Sequence, residues 1–113
     1  MYQKGDVVSV KFPFSDLTGA KFRPALIIWA PGAIKEQDYL LMQITSELKW
    51  LTDGISFPIN PTDLQVNFLP KPSLIRPHKI FTANDSLIRS RIGAVTDPFL
   101  QHVIASFKAL LNN

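Results

Sequence analysis

Two polar groups in this 113-residue chain have the types and the setting to handle a phosphate. Arg23 precedes Pro24 where a turn-rich stretch meets an apolar run, and Thr45-Ser46 closes a second apolar run. A guanidinium offers several N–H donors in fixed fork geometry, and neighbouring hydroxyls add more, so the set makes a phosphate cradle. The cradle exists only if the two strand ends meet, as they can in a small curved sheet. Each residue also has an ordinary use: Arg23 in a surface ion pair, Thr45 as a β-branched strand residue. The two histidines, His78 and His102, have the intrinsic pKa for proton transfer on a phosphodiester. His102 falls on the polar side of a helical stripe, which makes it a surface residue.

Other chemistries lack their residues. No G-x-x-x-x-G-K or G-x-G-x-x-G phosphate loop occurs, and no His-Glu-x-x-His or carboxylate cluster has metal-ligand spacing. No metal and no cofactor is therefore expected. With no cysteine, disulfides, thiolate metal sites and cysteine nucleophiles are excluded, and a reducing compartment fits. No helix-turn-helix pattern suggests a DNA reader. The longest apolar run, residues 25–30, is far short of a membrane span, and residues 1–6 carry no leader pattern. No membrane association and a cytoplasmic location are the expectation.

Charge is unevenly spread. Residues 71–91 hold Lys71, Arg76, Lys79, Arg89 and Arg91 against Asp85 alone, whereas residues 35–63 are dominated by Glu36, Asp38, Glu47, Asp53 and Asp63. A basic face beside an acidic one suits a polyanion, or is a solvated charged surface.

The elements that must position these groups are short strands and one helix. Nine prolines against five glycines favour short strands with stiff connections. Residues 7–12 alternate as a strand, 15–21 form a loop, and 25–29 form a buried strand introduced by Pro24. Residues 39–45 make a central third strand, and 55–59 an edge strand because of Pro58. Residues 73–75 and 79–82 form a strand, or a pair interrupted by Pro77. Residues 84–86 cap a single helical turn, and 92–95 form a short last strand. Asp97 as N-cap and Pro98 as first helical residue begin a helix over about residues 98–111. Its apolar stripe is Leu100, Val103, Ile104, Phe107, Leu110 and Leu111. The whole is one domain, residues 1–113: mainly β, a small curved antiparallel sheet or barrel with a C-terminal helix.

The opening Gly5-Asp6-Val7-Val8-Ser9-Val10-Lys11-Phe12-Pro13-Phe14-Ser15-Asp16-Leu17-Thr18-Gly19, followed by Lys21-Phe22-Arg23-Pro24-Ala25-Leu26, resembles the first block of the PemK/MazF family of toxins. Gln43-Ile44-Thr45-Ser46 resembles the second block, and the stretch from Pro72 through Ser73, Arg76, Pro77, His78 and Lys79 to Thr82 resembles the third. Arg91-Ile92-Gly93 leads into the family's terminal helix. The resemblance implies an SH3-like barrel, usually a homodimer. It implies metal-independent, sequence-selective cleavage of single-stranded RNA, including mRNA, held in check by a cognate antitoxin. The family's catalytic arginine before proline corresponds to Arg23, and its catalytic threonine or serine after the third strand to Thr45. Many members carry an acidic residue where this chain has His78. Either His78 takes the proton-transfer role or that position is dispensable here.

Substrate selection then falls to Phe14, Ser15, Asp16 and the rest of that loop, with Gln43 and Ser46 beside Thr45. Lys21, Arg76 and Lys79 are expected to hold the RNA backbone. Phe14 and Phe22 can stack bases or fill the core. The competing reading is a non-catalytic module of the same fold that binds a protein such as DNA gyrase, or only its antitoxin.

Overall fold

The computed structural model describes residues 2–12, 21–32, 38–66 and 69–113. Among these residues seven strands form one antiparallel sheet: β1 (Asp6–Lys11), β2 (Phe22–Trp29), β3 (Asp38–Thr45), β4 (Phe57–Ile59), β5 (Leu64–Val66), β6 (Ser73–Asn84) and β7 (Ile88–Val95). One α-helix among the described residues, α1 (Asp97–Leu111), follows. The strand order is β4-β6-β3-β2-β1-β7-β5, which curls into a nearly closed barrel. Its two edges are three-residue strands, and short edges are a common defence against edge-to-edge pairing.

The central strands read as unbroken apolar runs because both of their faces are covered. Alternate side chains point to opposite faces. Leu26 and Ile28 of β2, with Met42 and Ile44 of β3, meet Leu100 and Val103 of the helix. Ala25 and Ile27, with Tyr39 and Leu41, belong to a second cluster with Val8, Val10, Phe12 and Phe81. The rings of Phe12 and Phe81 meet edge-on across this inner face, centroids 4.9 Å apart. Each fully buried Leu, Ile or Phe contributes about 1.5–3 kcal/mol, so both faces of β2 and β3 are held strongly.

Several expectations need correction. Strand β2 begins at Phe22, so Pro24 lies within it, opposite Ser9, instead of opening it. Strand β6 runs unbroken through Pro77. The cost of the proline appears as a bulge: Met42 pairs with Ile80 but Ile44 pairs with Ile75, leaving residues 76–79 to face Gln43. The last strand starts at Ile88, four residues before the expected start. The helix N-cap is Thr96, whose Oγ1 accepts from the Phe99 N–H, and Asp97 is the first helical residue. Phe99 joins the buried face, whereas Leu111 is 69% exposed.

Elements without an expected counterpart are strand β5 and two 3₁₀ turns, Leu48–Asp53 and Pro61–Asp63. The first ends at Gly54 with φ of 76°, a left-handed conformation that glycine adopts without strain. That turn fixes Asp53 under β6.

Candidate active site

The antiparallel pairing of β2 with β3 brings the arginine and the threonine together. Ala25 pairs with Gln43 and Leu26 with Met42. Continued by two residues, this register sets Arg23 level with Thr45, and the twofold alternation keeps both on one face with Gln43. Both side chains line one cleft of about 240 Å³, completed by Pro24, Ile44, Ser46, Leu69, Pro70, Lys71 and Ser73.

Each of the two carries an unused donor. Arg23 Nε is buried and has no hydrogen-bond partner among the described residues. A buried unpartnered donor costs about 1–3 kcal/mol, more when charged, and an acceptor entering the cleft would relieve that cost. Thr45 is buried, and its Oγ1 accepts from the Glu47 N–H at 3.1 Å. That bond holds the hydroxyl oxygen and leaves its O–H to donate. Ser46 is exposed at the rim.

Lys71 also lines this cleft, and the sequence had not singled it out. It lies in the proline-flanked turn before β6, where its carbonyl accepts from Ser73 Oγ at 2.9 Å. The available signal was Pro70-Lys71-Pro72, a cation held between two rigid residues.

His78 and Arg76 belong to a different cluster, separate from the residues lining the cleft. Arg76 is 5% exposed. Its guanidinium donates to Ser56 Oγ at 3.3 Å, to Gln43 Oε1 at 3.4 Å and to Asp53 Oδ2 at 3.4 Å. The guanidinium carbon lies 4.1 Å from the centroid of the Trp50 ring. Arg76 was expected to hold RNA backbone; here its donors are committed inside the protein. His78 Nε2 lies 3.3 Å from Arg76 Nη2 and 3.9 Å from Asp53 Oδ2. Burial lowers the His78 pKa, Arg76 and Lys79 lower it further, and Asp53 opposes them. Because a guanidinium only donates, Nε2 turns its lone pair to Arg76. With that tautomer the one lone pair of the neutral ring is engaged by the guanidinium.

Asp53 is the pivot. Desolvation raises its pKa, but N–H donors from Ser56 and Ile55, the Ser56 hydroxyl and Arg76 together hold it well below the ordinary carboxylate range. Lys21 and Lys79 are exposed, and Phe22 carries Arg89 on its ring at 3.8 Å. Phe14, Ser15 and Asp16 lie outside the described residues. Among the described residues no group of three His, Cys, Asp or Glu is arranged to hold a metal ion. No helix among them is long and apolar enough to cross a membrane.

Fold and cleft together define a small barrel domain with an arginine–hydroxyl cleft at the ends of two central strands. The chain belongs to the family of PemK-like, MazF-like toxins of type II toxin–antitoxin systems, whose model matches residues 3–111. Among 37 similar solved chains is an endoribonuclease in complex with its cognate antitoxin from a mycobacterial species. It aligns with a TM-score of 0.73 at 15% identity, over 99% of this chain and 96% of that one. A search of curated proteins finds no match.

Proposed function

We propose that this toxin is an endoribonuclease that cuts single-stranded RNA, including mRNA, in the Arg23–Thr45 cleft, and that a cognate antitoxin restrains it. The observation that carries the reading is the shared cleft with its two unused donors, Arg23 Nε and the Thr45 O–H. The family supports the toxin role, and the mycobacterial neighbour supports both the reaction and the antitoxin. A homodimer and a cytoplasmic location follow the same family expectation.

In the proposed reaction a ribose 2′-hydroxyl loses its proton to solvent as its oxygen attacks the adjacent phosphorus, and the bond to the 5′-oxygen breaks as that oxygen takes up a proton from solvent. The products are a 2′,3′-cyclic phosphate and a 5′-hydroxyl end. The guanidinium of Arg23 stabilises charge that grows on the phosphoryl oxygens, a role typically worth about 3–4 kcal/mol. The Thr45 hydroxyl donates to the same oxygens and holds the phosphate in line. Arginine, with a pKa above about 12, is a poor proton acceptor at neutral pH. On this reading His78 acts outside proton transfer, because its free lone pair is engaged by Arg76.

The test is incubation of the purified protein with a long unstructured RNA in EDTA. Discrete fragments with 5′-hydroxyl ends, absent with Arg23→Ala, are the expected result. Intact RNA would favour the non-catalytic module.

A further inference from the structure

The Arg76 cluster dictates the hydrogen-bonding polarity of the surface beside the cleft. A guanidinium has donors only. Each neighbour must therefore turn a lone pair toward it. Gln43 turns Oε1 inward, at 3.4 Å from Nη1, so its amide NH₂ points away from the arginine. His78 turns Nε2 inward, at 3.3 Å from Nη2, so the proton of the neutral ring sits on Nδ1. Both side chains thus offer N–H donors on the side away from Arg76.

Gln43 stands two residues before Thr45 on the same face of β3. The β6 bulge sets residues 76–79 opposite Gln43, which puts His78 in the same neighbourhood. The cluster cannot easily reverse. Asp53 anchors the guanidinium and is itself held by the Ile55 and Ser56 N–H groups at 2.8 and 2.7 Å. Trp50 covers the guanidinium face.

We infer that Gln43 and His78 form a nucleobase subsite next to the cleft that selects keto bases, guanine or uracil, by donating to their carbonyl oxygens. Arg76 and Asp53 are its positioning residues, because they fix which atoms face outward. Adenine and cytosine present an amino group at the equivalent position and would meet donor with donor. The inference rests on the reading of the protein as an RNA-cleaving toxin and adds the class of base that it accepts.

The experiment uses single-stranded 2′-deoxy oligonucleotides of uracil and of cytosine. They lack the attacking hydroxyl, so binding is read without cleavage. Fluorescence anisotropy of the wild-type protein should give about tenfold or more tighter binding of the uracil strand. Gln43→Glu still accepts from Arg76 but presents an acceptor outward, so it should reverse the preference. Gln43→Leu should abolish discrimination. The ratio between the two strands is the readout, which cancels any general repulsion of the polyanion by the new carboxylate, and thermal melting checks that each variant is folded. Equal binding by the wild type, binding to neither strand, or an unchanged preference in Gln43→Glu overturns the subsite. Base preference without any cutting of RNA would overturn the ribonuclease reading and leave the subsite standing, whereas cutting without base preference does the reverse.

Discussion

Asp53 and Arg76 form an enclosed ion pair, Oδ2 to Nη2 at 3.4 Å, with the two side chains 18% and 6% exposed. Removing one partner of such a pair strands the other charge, which typically costs about 3–5 kcal/mol. Asp53→Ala should lose about 3 kcal/mol or more in urea unfolding. The Asp53 carboxyl titrates below its unfolded value of 3.8, so its contribution is complete above that pH and disappears as pH falls toward the folded value. Stability curves measured from pH 5 downward should therefore fall more steeply for the wild type than for Asp53→Asn.

Arg23 presents the opposite balance between stability and activity. Its Nε is buried without a partner among the described residues, so the folded state gains little from it. Arg23→Ala should melt at or above the wild-type temperature while cleavage slows by about 10² to 10³. Arg23→Lys keeps the charge but loses the fork, and should recover only part of the rate. Paired melting curves and single-turnover cleavage check both halves. A variant that is both unstable and slow would make Arg23 a structural residue.

Strand positions and the terminal helix could be read from residue pattern because both faces of the sheet are apolar and the helix carries a periodic stripe. Arg23 and Thr45 could be paired in advance because antiparallel neighbours β2 and β3 end at the same level. The Asp53–Arg76–His78 cluster could not. Its members come from a 3₁₀ turn and a bulge, and neither has a periodic signature. Arg76 looked like a surface cation because arginine is rarely enclosed. Only the tertiary fold supplies Asp53, Ser56 and Gln43 as its acceptors. Thr96 lost the N-cap role to Asp97 in the sequence reading because both residue types cap well, and the choice depends on where β7 ends.

His78 should titrate below 6.5, the value of an unperturbed imidazole. Burial, Arg76 and Lys79 all disfavour its charged form, while Asp53 favours it. Because the unfolded chain takes up this proton first, the neutral ring contributes stability above pH 6.5 that is lost as pH falls through the folded value. Proton NMR of the ring should follow this titration. In Asp53→Asn the midpoint should move lower still, since the one group pulling it upward has lost its charge. A midpoint at or above 6.5 in the wild type would mean that His78 Nε2 carries a proton and faces Asp53 instead of Arg76.

Lys71 supplies the cleft with a positive charge from a turn stiffened by Pro70 and Pro72. A phosphate contact of this kind binds without regard to sequence, and each one adds about 0.7 to the slope of log affinity against log salt for a single strand. Lys71→Ala should weaken binding of uracil and cytosine strands alike, leaving their ratio intact, and should lower the salt slope by about 0.7. Gln43→Leu should do the converse, flattening base preference at constant slope. Salt titrations of both variants by anisotropy separate a lysine that holds the backbone from an amide that reads the base. If Lys71→Ala changes neither affinity nor slope, the strand follows a path through the cleft that bypasses the Pro70–Pro72 turn.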